Sequence, residues 1–538
     1  MAALARAHFL ATHGLSWIVA FGAWGMLDPA ESLAAPDQGL RLGGVEPQGP
    51  ASRAVTAIHH NPAMLAALKG TALQASSSVG LSWHRVRRYA IDSASGSPVE
   101  DLGPATSLLN PTYGFFAGAS FYFEPLALAV GYYDLSDTVR LDGATPLRYH
   151  IAPHPSRGCI DRSRDECPPL GGSVALRQDL SVALAFDRGN FQIGVAVHFP
   201  LLFQRFAYDQ DTELQRSPSD IDPSRCGEKE HPECAERVGF NGWNRWVRRD
   251  GAPAGFDAAL TLGVAFQFRR DTITLGARYR TFPLSRRGEL SLAGSGIVCQ
   301  PTGESRGLGG AVSACAVANP VDATLRTRLP QQVALGATFV LGRNRDWKLD
   351  TQLYWIDLCP GGLRPSECDN RDASRLRLLG LDRTAATAPE TVRHRGAQDL
   401  YGAELYVTHI LRSGVWLLLG SQLSSPSVRR AAQTAAQGDG WRWGLQAGTR
   451  VRTRRGKLYV TPGYALDLLL PRHVRPSEAA FDPVAASRFA ASGRDLNVDG
   501  AQTVLDGLGR PTNAGRYFGM VHLLSVTVGW ADDSGVLE

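Results

Sequence analysis

From Thr71 onward the chain alternates in steps of two, and no other feature constrains its fold as tightly. In "FDAALTLGVAFQF", Leu260, Leu262, Val264, Phe266 and Phe268 share one face, while Ala259, Thr261, Gly263, Ala265 and Gln267 share the other. "KLYVTPGYALDL" from Lys457 and "WKLDTQLYWID" from Trp347 behave alike. Period-two alternation marks strands with two unlike faces. Fourteen such segments are counted, at 71–91, 111–123, 126–137, 173–187, 190–206, 255–269, 271–288, 321–341, 346–358, 399–411, 413–424, 440–453, 456–469 and 517–530.

A water-soluble sandwich also alternates, so the connections decide between the two. Short turns ("EP" at Glu124, "DRGN" at Asp187, "RRD" at Arg269, "GRNRD" at Gly342, "RSG" at Arg412, "TRRG" at Thr453) take turns with long gaps. That is the plan of an all-β, 14-stranded antiparallel transmembrane β-barrel of the bacterial outer membrane, with periplasmic turns and exterior loops. Aromatic residues gather near the strand ends, at Phe121, Tyr122, Phe123, Trp347, Trp355, Trp441, Trp443 and Trp530, as interfacial girdles do.

Residues 1–35 read as a signal peptide: a weakly basic start, the apolar core "GLSWIVAFGAWGML" and small residues at Ala34–Ala35. That core is too short for a spanning helix. Export agrees with the cysteines, which fall in four neighbouring sets inside or beside the long gaps: Cys159 and Cys167, Cys226 and Cys234, Cys299 and Cys315, Cys359 and Cys368. Their spacings match neither zinc nor redox motifs, and local disulfides bracing exterior loops are expected. Spacing alone does not fix the pairing. A net charge of +5 over 538 residues is too small to argue for nucleic acid.

Between signal peptide and first strand, residues 36–70 are Gly- and Pro-rich and do not alternate. A segment of that size fits a hatch, or plug, folded into the lumen. The barrel would then span 71–530, leaving a periplasmic tail at 531–538. Within the hatch, "ASRAVTAIHHNPAMLA" resembles the opening signature of the outer-membrane long-chain fatty-acid and hydrophobic-compound transporter family. "PLRYHI" at Pro146, "LGARYRTFPL" at Leu275, "LPQQVALGATFVLGRNRDWKLDTQLYWIDL" at Leu329 and "AGRYFGMVHLLSVTVGW" at Ala514 extend the resemblance down the chain. One departure is the closing strand, which ends on Trp530 rather than a terminal Phe.

The resemblance implies a non-enzymatic barrel that passes fatty acids or aromatic hydrocarbons inward by diffusion. It also implies a lateral opening at a kink in the third strand, with Asn61, Pro62 and Ala63 in the hatch near it. Alternation places the bulky Phe116, Tyr133, Leu135, Tyr354 and Trp416 on the lumenal face, where they line an apolar path or pack against the hatch. Expected partners are the hydrophobic ligand, outer-membrane lipid and lipopolysaccharide, and the barrel-assembly machinery. A non-transporting barrel with braced loops for adhesion or assembly is the alternative, and a plug argues against a general polar porin.

No cofactor is required by this reading. "DLNVDGAQTVLD" carries Asp495, Asn497, Asp499 and Asp506 at calcium-loop spacing, so a Ca2+ in the last exterior loop is an open expectation beside a solvated acidic turn. "GESRG" at Gly303 lacks the strand-turn-helix of a nucleophile elbow. His59 and His60 have no companion ligands and are expected to pack or hydrogen-bond in the hatch. "RWVRR" at Arg245 suits either lipopolysaccharide phosphates or plain solvation.

Overall fold

The computed structural model describes residues 44–91, 98–99, 106–139, 173–211, 235–244, 257–268, 272–284, 289–299, 321–358, 374–379, 390–393, 397–411, 414–430, 433, 439–453, 457–475 and 510–532. The expected signal peptide, the side chains of all eight cysteines and of Leu135, and the calcium-like loop lie outside the described residues.

A single helical turn α1 (Ala57–His60) and a 3-10 turn (Pro62–Ala67) precede twenty strands in one sheet. These are β1 (Thr71–Ile91), β2 (Pro98–Val99), β3 (Thr106–Phe123), β4 (Leu126–Val139), β5 (Ser173–Arg188), β6 (Phe191–Asp211) and β7 (Ala235–Trp243). Next come β8 (Ala259–Phe268), β9 (Ile273–Arg280), β10 (Glu289–Cys299), β11 (Val321–Arg328), β12 (Gln331–Leu341) and β13 (Trp347–Asp357). The remainder are β14 (Ser374–Leu378), β15 (Glu390–Arg393), β16 (Leu400–Ile410), β17 (Val415–Ser424), β18 (Arg442–Arg452), β19 (Leu458–Val474) and β20 (Arg510–Ala531).

Fourteen of them close an antiparallel ring in the order β1, β3, β4, β5, β6, β8, β9, β12, β13, β16, β17, β18, β19, β20. Closure is the β1–β20 ladder, which runs from Ala72↔Ala531 to Ile91↔Arg510 with one irregularity. The wall is inside-out relative to a soluble protein. Leu73, Val79, Leu128, Val182, Leu262 and Leu419 are exposed on the outer face, while Gln74, Ser76, Ser181, Thr261, Gln446 and Thr527 are buried on the inner one. An apolar belt around a polar lumen is what a bilayer demands of a barrel, because lipid cannot hydrate polar side chains. The molecule is a β-barrel of outer-membrane type, with its short turns assigned to the periplasm.

The six remaining strands extend this ring. β6 pairs with β8 as far as His198↔Ala259, then with β7 from Trp243↔Phe203 upward. β7 pairs with β10, β10 with β11, β11 with β14 and β14 with β15. β2 continues the ladder at the far end of β1. The segment read as one strand over 271–288 holds β9 alone, which ends at Arg280, and 321–341 is divided between β11 and β12. β7, β10, β14 and β15 stand in stretches expected to be loops. Five neighbouring wall strands are thus interrupted along one line, a seam between the membrane barrel and an upper extension.

At the seam Asn244 substitutes for a missing ladder partner, where Pro200 supplies no N–H. Its side-chain amide donates to the Pro200 carbonyl (2.8 Å), its Oδ1 accepts from the Leu202 N–H, and its own N–H donates to the Leu202 carbonyl (3.0 Å). By contrast the third wall strand, β4, is paired without a register break on both sides, from Thr112↔Asp137 to Phe123↔Leu126 and from Leu126↔Phe186 to Val139↔Ser173. The gap implied at the third strand is absent from its ladders.

Candidate functional site: an apolar cluster above a filled lumen

Residues 44–70 lie inside the ring and touch nearly every part of its wall. Four seats hold them, and each is a pair of glycines directly opposite one another on adjacent strands. Gly448↔Gly463 receives Val45, Gly276↔Gly336 receives Pro50, Gly118↔Gly131 receives Val55 and Ile58, and Gly194↔Gly263 receives the Asn61-Pro62-Ala63 step. A Cβ on Gly194 would stand 2.4 Å from the Ala63 nitrogen, and one on Gly276 would stand 2.1 Å from the Pro50 carbonyl oxygen. Only a wall without side chains at these points lets backbone approach so closely.

Asn61 is fully buried. Its amide donates to the Pro50 carbonyl (2.6 Å) and to the Val264 carbonyl of β8 (2.9 Å), and its Oδ1 accepts from the Ala63 N–H (3.1 Å). One side chain thus caps the 3-10 turn, ties two parts of the segment together and fixes both to the wall. The seat lies on β6 and β8, the fifth and sixth wall strands, and not at the third.

Around it the lumen is polar. Asp179 accepts from Arg280 (2.8 Å), Arg177 (3.4 Å) and the Tyr133 hydroxyl. His59 stacks on His198 with centroids 5.1 Å apart and meets the Tyr133 edge at 4.5 Å; burial, then repulsion from His198, holds its imidazole well below the usual range. At the other end Glu46 pairs with Arg450 (2.8 Å) and accepts from Thr461 (2.7 Å).

Beside the positive-φ Gly70, Lys69 pairs with Asp187 and donates to the Tyr122 hydroxyl (2.8 Å). Tyr122 therefore faces inward, and does not belong to the girdle. Burial opposes the Lys69 charge, but its hydrogen bonds to Asp187 and Tyr122 outweigh burial and raise its pKa above 10.5. A lysine raised on folding stabilises fully below its unfolded value and loses that contribution as pH climbs through the raised one. Heat-modifiability on gels is expected to be flat from neutral pH to about 10 and to decline shallowly above that, whereas Lys69→Met removes the decline.

Above the seam the faces exchange character. Leu202, Phe240, Leu290, Leu292, Leu325 and Leu376 are buried together on the face continuous with the polar lumen. Cross-strand register aligns them, with Leu292↔Leu325↔Leu376 as one row. The opposite face of the same strands carries Arg326, Arg375 and Arg377, all exposed. The extension is thus apolar inside and charged outside, as a wall standing in water should be. It places a packed apolar cluster over a polar, filled lumen.

This architecture has relatives of known structure. The chain is similar to the monoaromatic hydrocarbon channel TodX in its deltaS2S3 mutant form, with 12% identity and a TM-score of 0.53 over 90% of this chain and 98% of that one. It is likewise similar to the Pseudomonas putida toluene transporter TodX, with 12% identity and a TM-score of 0.51 over 91% and 99%. The chain has the fold of these channels. No family model and no curated protein matches it. At this identity the likeness is one of fold.

Within this channel fold the bulky lumenal residues are dispersed. Phe116 and Tyr133 oppose each other on β3 and β4 and pack around His59. Tyr354 lies across Gly402 of the neighbouring strand, where an added Cβ would stand 2.1 Å from its ring. Trp416 stacks with the guanidinium groups of Arg450 (4.7 Å) and Arg452 (4.5 Å) near the short turns. These four pack in three separate places. Leu290, Leu292 and Leu376 of this cluster went unremarked in the sequence because β10 and β14 lie in stretches assigned to gaps. Their signal is present in "ELSLAG" and "SRLRL", which alternate leucine with polar or charged residues.

Proposed function

We propose that the protein carries hydrophobic compounds, aromatic hydrocarbons or long-chain fatty acids, across the outer membrane by diffusion. The apolar interior of the extension opens as a chamber that takes them from the exterior, and the seam beneath it releases them sideways into lipid. The exchange of faces at the seam carries this reading. A hydrophobe in the chamber gains roughly 25 cal/mol for each Å² of apolar surface removed from water. Descent through the lumen forfeits that gain against buried Arg, Asp and His side chains and a seated segment. Sideways exit does not, and at the seam part of the wall is joined by Asn244 instead of a continuous ladder. The channels of similar fold, described as acting on monoaromatic hydrocarbons and toluene, support the same class of cargo.

The test is uptake of labelled toluene and labelled oleate by cells producing the protein or its Leu292→Asp/Leu325→Asp variant. Uptake of the cargo is expected to fall about tenfold or more, since each buried carboxylate costs at least ~1.4 kcal/mol of binding. Thr324→Asp, on the outward face of the same strand, should leave it unchanged. Equal uptake by wild type and chamber variant would remove the chamber from the route. Failure of both cargoes in wild-type cells would favour the adhesion or assembly alternative.

A further inference from the structure

The outward face of the extension holds a charge arrangement that its own strands do not explain. Arg326 of β11 and Arg375 of β14 stand directly opposite each other in register, and Arg377 follows two residues on, opposite Thr324. Leu325, Leu376 and Leu378 between them are buried, which fixes the three arginines on the outer face, where all are exposed. Like charges directly opposed across a strand pair destabilise it. Among the described residues, Arg326, Arg375 and Arg377 make no ion pair, although Arg328 on the same face of β11 is paired with Glu289 at 3.0 Å. In register, Glu390 of β15 stands opposite Arg377.

Height identifies the anion that would relieve the repulsion. Tyr279, Val333, Trp355 and Tyr401 form a single outward row across β9, β12, β13 and β16. Polar tips on this row reach partners, Tyr279 Oη to Gln331 (2.9 Å) and Trp355 Nε1 to Asp399 (3.0 Å), as in an aromatic girdle at the edge of the hydrocarbon. β11 leads into β12 through Leu329–Pro330 alone, and Arg326 stands seven residues before Val333. At strand rise and barrel tilt, that is roughly 15–20 Å above the girdle. This height falls within the phosphorylated sugar layer of the outer leaflet, and guanidinium groups bind phosphate oxygens through paired hydrogen bonds.

We propose that Arg326, Arg375 and Arg377 dock the phosphorylated headgroup of the outer-leaflet glycolipid, holding one lipopolysaccharide molecule against the extension. The site depends on the membrane placement of the barrel and is independent of its cargo. The protein would be purified from outer membranes in mild detergent and its bound glycolipid quantified by mass spectrometry. Purified lipopolysaccharide, its dephosphorylated form and inorganic phosphate would then be titrated onto delipidated protein.

Wild-type protein is expected to retain glycolipid and to bind lipopolysaccharide at least tenfold more tightly than the dephosphorylated form, with inorganic phosphate failing to compete at equal concentration. R326Q/R375Q/R377Q should lose the retained glycolipid, while R326K/R375K/R377K, which keeps the charge, should retain part of it. Heat-modifiability of both variants reports folding. Undiminished binding by the folded glutamine variant, equal binding of the dephosphorylated lipid, or competition by inorganic phosphate would each overturn the proposal. If the glutamine variant does not fold, Arg375→Gln alone is measured, and unchanged affinity there overturns it as well.

Discussion

Placing valine at Gly263 is expected to make an ion-tight barrel conduct. The β-carbon alone would stand 1.9 Å from Asn61 Oδ1 and 3.0 Å from Pro62 Cδ, well inside van der Waals contact. Asn61 has little room to yield, because its amide is committed to Pro50 on one side and to the wall at Val264 on the other. Overfilling a packed site costs about 1–3 kcal/mol, and each buried hydrogen bond broken in retreat adds about 1 kcal/mol. The segment crosses the lumen through four such seats, so lifting it from the Gly194↔Gly263 pair frees the stretch that fills the space between β5, β6 and β8. Once vacated, the polar wall behind it takes up water. Single-channel recording in planar bilayers should show conductance steps for Gly263→Val that wild type lacks. Leu262→Val, next to it but facing lipid, should behave as wild type. An ion-tight Gly263→Val barrel would mean that the seat is loose and that the glycine pair does not govern closure.

The second large effect is expected at Asp179. This carboxylate is fully buried and joins Arg177, Arg280 and the Tyr133 hydroxyl, so it draws two guanidinium groups together in the lumen. Removing one partner of a buried charge cluster costs about 3–5 kcal/mol, far more than an exposed pair is worth. Asp179→Ala should therefore lower the unfolding free energy, measured by urea titration in lipid vesicles, by that amount. Tyr133→Phe removes one neutral donor and should cost only about 1 kcal/mol. A loss under about 1 kcal/mol for Asp179→Ala would show that water or other lumenal groups compensate, and that Asp179 does not anchor the site.

The membrane part of this fold could be read from the chain because lipid enforces the pattern residue by residue. Leu262, Val264 and Phe266 must be apolar, and Thr261 and Ala265 between them need not be. Each strand therefore declares itself without reference to its neighbours. The extension escaped because water outside and an apolar cluster inside reverse the requirement, and short strands such as Ser374–Leu378 carry too few repeats to stand out in a gap. The glycine seats escaped for a different reason. Gly194 and Gly263 become one site only through the β6–β8 register, a contact between residues far apart in sequence. Asn61 was marked in the sequence by the resemblance, yet its second partner, Val264, lies 203 positions away. What a residue contacts locally can be inferred from the chain; which wall it leans on cannot.

The ladder between β1 and β20 also sets an order of events. Every residue from Ala72 to Ile91 that finds a partner on that side finds it between Arg510 and Ala531, so the first strand made has one edge without its mate until the last has emerged. Residues 44–70 lean on both sides of that join, with Gly44 beside Ser525 of β20 and the Val55 N–H bonded to Gln74 of β1. A chain interrupted before Arg510 would keep two bare edges, one on β1 and one on β19, each able to pair with a foreign strand. Premature termination is thus expected to yield aggregation-prone sheets and not smaller barrels. The join that completes the wall is also what separates a finished molecule from an unfinished one.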